Sequence, residues 1–192
     1  MTIQTLPSSR RAFVTGGAGA LLSVGAVGFL GGMSTKALAA SAATSGDVDI
    51  LNIALALEHE AIDAYQIGAE SGLLQQAVIG VAVTFQSHHK AHRDALIGAI
   101  RQFGGLPEES KSRAEYVAAL DVASIRGQAD ILRLAQRLER GAANAYLSVI
   151  PSFDNRDLAQ VAGKLASDET AHWALLSSVL GDSLPATPFV VS

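Results

Sequence analysis

Two stretches far apart in the chain carry the same polar residues in the same order. Glu58 and Tyr65 stand seven residues apart within Leu57-Glu58-His59-Glu60-Ala61-Ile62-Asp63-Ala64-Tyr65, as do Glu139 and Tyr146 within Leu138-Glu139-Arg140-Gly141-Ala142-Ala143-Asn144-Ala145-Tyr146. Further on, His89-Lys90-Ala91-His92 is answered by Glu169-Thr170-Ala171-His172. The interval from Glu58 to His92 is 34 residues and that from Glu139 to His172 is 33, so the two halves look like duplicated hairpins. Residues three, four or seven apart share one face of a helix. Carboxylate and imidazole on the buried face of a helix do one of two things: they pair with one another, or they ligate metal. The chain contains no cysteine, which excludes disulfides, thiolate metal sites, iron–sulfur clusters and cysteine nucleophiles. Any metal must therefore sit on histidine and carboxylate, a donor set suited to iron, manganese or zinc.

The elements that carry these residues follow from apolar spacing. One helix is expected over about Asp47 to Glu70, with Leu51, Leu55, Glu58, Ile62 and Tyr65 on a single stripe. A second covers about Gln76 to Phe103, its stripe running Val78, Ala82, Phe85, His89, His92, Leu96, Ala99 and Phe103. The third, about Gln128 to Ile150, aligns Leu132, Ala135, Glu139, Ala142, Tyr146 and Val149. The fourth, about Asp154 to Leu180, aligns Leu158, Ala162, Leu165, Glu169, His172, Leu176 and Val179. Gly72, Gly104-Gly105-Leu106-Pro107, Pro151 and Gly181 punctuate their ends. Each stripe is interrupted midway, and every interruption is Glu or His. Short links make the first two helices, and the last two, antiparallel neighbours; the long stretch from Gly105 to Gly127 must cross the end of the bundle. The fold class is thus all-α, a four-helix bundle of two antiparallel hairpins joined by a long crossover.

Before the bundle lies a targeting segment. Ser8-Ser9-Arg10-Arg11-Ala12-Phe13-Val14 precedes an uncharged, glycine-laden middle, and Ala37-Leu38-Ala39-Ala40 supplies small residues for cleavage. That layout is a secretory signal, and the paired arginines resemble the twin-arginine (Tat) type. Residues 1–40 are expected to be a signal peptide, 46–182 the bundle and 183–192 a tail containing Pro185 and Pro188. The expected location is the periplasm, with the Tat machinery as export partner; an uncleaved membrane anchor is the weaker alternative, because glycine suits a permanent span poorly. The first 45 residues hold Arg10, Arg11 and Lys36 and no acid, so the remainder is three charges more negative than the -4 of the whole chain. No nucleic-acid partner is expected, since phosphate binding needs a basic face.

The duplicated pattern resembles the ferritin-like superfamily, which includes bacterioferritins, rubrerythrins and manganese catalases, over about Asp47 to Leu180. In that superfamily one Glu from each of two helices, and a Glu-x-x-His pair from each of the others, hold two iron or manganese ions. By that resemblance the ligands would be Glu58, His92, Glu139, Glu169 and His172, binding two transition-metal ions, iron first and manganese second. Tyr65 and Tyr146 resemble tyrosines that orient the carboxylates by hydrogen bonds. The second helix departs from the pattern, since His89 stands where a bridging Glu is expected, with His88 just off the stripe. His89 can supply a terminal nitrogen there but cannot bridge as a carboxylate does, and three glutamates leave two divalent ions with one excess positive charge, which either a hydroxide or further carboxylate ligand offsets or a weak second site avoids.

What the resemblance implies is oxidation or peroxide chemistry, with an external electron donor for any peroxidase, because no cysteine is available for a rubredoxin-type domain. A closed 24-subunit shell is not expected without a fifth helix; a homodimer remains compatible. The alternative is a non-catalytic metal-binding or stress-protective bundle whose site is structural or empty, the reading that His89 favours. Two further expectations concern charge: in the absence of metal the three clustered glutamates should titrate high through burial and mutual repulsion, and His59, Glu60, Asp63, Arg140 and Asp168, off the stripes, should be solvated.

Overall fold

In a computed structural model the described residues are 45–183, 185 and 186; the signal segment falls outside them. Among the described residues five α-helices follow in order: α1 (Ser45–Glu70), α2 (Gln76–Gln102), α3 (Arg113–Ala119), α4 (Gln128–Val149) and α5 (Arg156–Val179). α1 packs along α2 and α4 along α5, each pair an antiparallel hairpin, and α1 also meets α4. The four long helices match those expected, with ends shifted by one or two residues. The crossover contains α3 and a 3-10 turn, Val122–Ser124. Among the described residues no helix is long and apolar enough to cross a membrane.

Local chemistry sets the helix ends. Gly104, with φ 79°, takes the left-handed conformation that stops α2, and a Cβ on Gly105 would lie 2.5 Å from Val48 Cγ1, so the crossover leaves the bundle pressed against α1. Ser112 and Glu115 form a reciprocal capping box at α3. Asn155 caps α5, its side chain accepting from the backbone N–H of Asp157 and Leu158. Asp47, nearly fully buried at the start of α1, accepts from the N–H of Asp154 at 2.9 Å and of Asn155 at 3.3 Å. That carboxylate ties the turn between α4 and α5 to the first helix, satisfying N–H groups that the turn leaves unpaired.

The apolar core is divided by the polar residues into two main clusters. One gathers Leu51, Leu55, Leu96, Ile100, Tyr146, Leu158 and Leu165; the other gathers Tyr65, Ala82, Phe85, Leu132 and Leu176. Each contains one of the two repeated tyrosines, so each end of the site is closed by a hydrophobic layer with a hydroxyl at its edge. A third cluster, Ile67, Tyr116, Leu120 and Leu134, seats the crossover on α1 and α4.

Candidate metal centre

Six polar side chains from four helices meet between those clusters. Glu58 on α1, His89 and His92 on α2, Glu139 on α4, and Glu169 and His172 on α5 are all buried, none more than 3% exposed. Six residues of this kind cost several kcal/mol each to bury unless they are paired or hold ions.

Their contacts sort into two groups that share two members. His89 Nδ1 lies 2.8 Å from Glu58 Oε2 and 3.8 Å from Glu169 Oε1, and His92 Nδ1 lies 3.0 Å from Glu169 Oε1 and 3.6 Å from Glu58 Oε1. On the other side, His89 Nε2 lies 3.2 Å from Glu139 Oε1, and His172 Nδ1 lies 3.3 Å from Glu139 Oε2 and 3.2 Å from Glu169 Oε2. Glu58, His89, His92 and Glu169 can hold one metal ion, and His89, Glu139, Glu169 and His172 another. Glu169 turns one oxygen to each group, and His89 one nitrogen to each.

The spacing tests whether this set fits metal. Donors about 2.1 Å from a common ion sit roughly 3.0–3.4 Å from one another in octahedral or tetrahedral arrangements, and most of these separations are of that size. Glu169 Oε1 is the second sign. It is fully buried and accepts no well-formed hydrogen bond, although His92 Nδ1 is only 3.0 Å away, so the two atoms face one point without being aligned on each other.

A ring of supporting contacts fixes the six. Tyr65 O–H donates to Glu139 Oε1 and Tyr146 O–H to Glu58 Oε1, each tyrosine reaching from its own helix to the glutamate of the other half. The expected orienting tyrosines are therefore placed crosswise. His92 Nε2 is backed by Asp168 Oδ2 at 3.3 Å, and His172 Nε2 by His88 Nδ1 at 2.9 Å. Both backing contacts lie on the outward nitrogen and turn Nδ1 inward, the arrangement that sets tautomer and ring orientation in metal sites. Asp168 is thus not merely solvated, as its off-stripe position implied; its carboxylate is half exposed and still reaches His92. His59 likewise touches the carbonyl of Glu108 in the crossover, at 3.3 Å.

Electrostatics correct a further expectation. Burial pushes the Glu58 carboxyl up, but His89 and His92 outweigh it and hold it at about 2. Glu139 is also held below the usual carboxylate range, burial being overcome by His172 and His89. Only Glu169 is raised, burial dominating. The histidines lying between the glutamates supply the compensating charge that the high-titrating expectation left out. Burial opposes protonation of the rings too, yet Glu169 and Glu58 raise His92 to about 10, and Glu139 and Glu169 raise His172 to about 8.

A cleft of about 210 Å³ between α1 and α4 runs past Leu57, Glu60, Ala61, Arg137 and Gly141 to His89 and Glu139. Small molecules can therefore approach one edge of the cluster without passing through the core.

A family profile described as ferritin-like domain matches residues 46–182. Among solved structures, the chain resembles a conserved hypothetical protein, rv2844, from Mycobacterium tuberculosis, at 25% identity and a TM-score of 0.61, over 74% of this chain and 95% of that one. Among curated proteins no match was found.

Proposed function

The chain belongs to the ferritin-like domain family, and on that premise we propose that its buried cluster holds two transition-metal ions, iron in preference to manganese, for oxidation or peroxide chemistry in the periplasm. The observation that carries this reading is Glu169, whose two oxygens face two separate sets of histidine and carboxylate. Glu58, His92 and Glu169 Oε1 would hold one ion, and Glu139, His172 and Glu169 Oε2 the other. Such ions, when bound, supply electrons and Lewis acidity for reducing dioxygen or peroxide. The chain's own part is to hold and screen: Tyr65 and Tyr146 keep the glutamates in place, Asp168 and His88 keep the ring nitrogens turned inward, and the apolar clusters exclude bulk water. The cleft beside Gly141 gives a small oxidant its path to His89 and Glu139.

The test is anaerobic loading with ferrous ion followed by addition of dioxygen or peroxide. Two irons per chain are expected, with ferrous ion oxidised at least about tenfold faster than by a Glu139→Ala variant, whose site lacks a ligand. The second reading is a non-catalytic bundle, and it is favoured by His89: its two carboxylate contacts satisfy much of the buried charge without metal. No iron bound and no acceleration would leave that reading standing.

Export is part of the proposal and rests on Arg10, Arg11 and Ala37-Leu38-Ala39. Replacing both arginines with lysine is expected to retain the protein in the cytoplasm; normal appearance in the periplasm would refute the Tat route.

A further inference from the structure

We propose that His89 bridges the two ions, Nδ1 to one and Nε2 to the other, in place of the carboxylate expected at that position. The inference rests on the reading that the cluster holds metal. It goes beyond that reading because a ring confined to one ion would have a nitrogen to spare, and here neither is spare. Nδ1 contacts Glu58 and Glu169 Oε1, Nε2 contacts Glu139, and His89 is, with Glu169, common to both candidate groups.

The ring is also held so that it cannot favour one side. Tyr65 stacks against it at a centroid distance of 5.5 Å with the planes 30° apart, while His92 and His172 meet it edge-on at 5.9 and 5.4 Å. A side chain 1% exposed and packed on three sides by rings has no room to swing one nitrogen away.

Charge counting points the same way. Three glutamates and a neutral imidazole leave two divalent ions with one uncompensated positive charge in a buried site, which is costly at low effective dielectric. An imidazole ligated through both nitrogens has lost both N–H protons and carries one negative charge. With Glu58, Glu139 and Glu169 it balances two divalent ions. Two metal–nitrogen bonds form, each N–H bond on the ring breaks and its proton leaves to solvent through the cleft that His89 lines, and no electron moves.

Cupric ion is the probe, because each ion carries one unpaired electron and an imidazolate bridge couples two such spins antiferromagnetically. The full-length chain, purified and stripped of metal, is titrated with copper and followed by electron paramagnetic resonance and bound-metal analysis. The signal is expected to grow over the first equivalent and to be lost as the second binds. His89→Gln, binding two coppers, is expected to keep the full signal of both. His89→Ala is expected to behave likewise, with the loss restored by adding free imidazole; this variant also serves if the glutamine form does not fold. Two coppers with an undiminished signal in the wild type, or only one copper bound, would overturn the bridge while leaving the metal centre intact. Loss of signal in wild type and variants alike would overturn it too, by placing the coupling on Glu169. A chain that binds neither cupric, ferrous nor manganous ion would remove the metal centre and the bridge together.

Discussion

Glu169→Gln is expected to abolish the binding of both metal ions, whereas Glu58→Gln is expected to remove only one. Glu169 alone among the carboxylates faces both groups, Oε1 beside His92 and Oε2 beside His172, while Glu58 belongs to one group. An ion that binds only the folded protein stabilises it by about 2.7 kcal/mol at a hundredfold excess over its dissociation constant. For a domain of this size that is a rise in melting temperature of roughly 5–10 °C for each ion. Manganous ion should therefore produce two such increments in the wild type, one in Glu58→Gln and none in Glu169→Gln. The metal-free Glu169→Gln protein should melt close to the wild type, because burial already raises the Glu169 carboxyl and a neutral amide relieves that cost. This separates loss of the site from loss of the fold. Scanning calorimetry with and without manganese, and equilibrium dialysis for stoichiometry, provide the measurements. A Glu169→Gln protein whose melting temperature still climbs with manganese would show that the two groups do not share that residue.

Much of this site is legible in the sequence because periodicity and charge point to the same residues. A glutamate or histidine on an apolar stripe is conspicuous, and all six such residues prove buried together. The glutamates and histidines of each stripe are placed accurately. Between and beyond them the stripe strays by one position, since a straight helix turns about 20° per heptad away from a seven-residue repeat. Thus Ala143 is fully buried where the stripe offered Ala142, and Val179, on the stripe, is half exposed. Buried Asp47 and Gln86 escape such a reading because their partners are backbone groups and side chains brought close only by tertiary packing: Gln86 donates to the Ile62 carbonyl and to Gln66 on α1. Asp168 and His88 escape it for another reason. They sit one position off the stripe, where a helical residue ordinarily faces solvent, and only the packing of α2 beside α5 brings each to the outer nitrogen of a buried histidine. The orientation of His89 is equally invisible in one dimension. Sequence places the ring on the seam; the packing of Tyr65, His92 and His172 decides that both its nitrogens are engaged.

Metal affinity is expected to rise steeply with pH, the opposite of the trend in metal-free stability. His92, raised from 6.5 to about 10, and His172, raised from 6.5 to about 8, are protonated in the neutral metal-free protein, together with His89, where burial is overcome by Glu139 and Glu58, and these rings face Glu58 and Glu139. A histidine whose folded-state value is raised contributes stability that is complete below its unfolded value and is lost as the pH climbs through the folded one. The metal-free protein should accordingly weaken first as His172 deprotonates near 8 and again as His92 does near 10. Glu58, lowered from 4.5 to about 2, acts in the other direction: its contribution is present above 4.5 and lost as the pH falls toward about 2. Metal-free stability should therefore peak between these limits, from about 4.5 to about 6.5. An ion ligated by His92 or His172 must displace that proton. Each ion's affinity should thus rise about tenfold per pH unit for every proton released, over about pH 6 to 8, where both rings are still protonated before metal arrives. Bound ions then supply the positive charge that the imidazolium groups supplied, so the loaded protein should keep its melting temperature at alkaline pH where the metal-free protein loses it. Calorimetric titration with manganous ion in buffers of different ionisation enthalpy counts the released protons directly. An affinity independent of pH, with no proton released, would mean that these histidines are not where the metal binds.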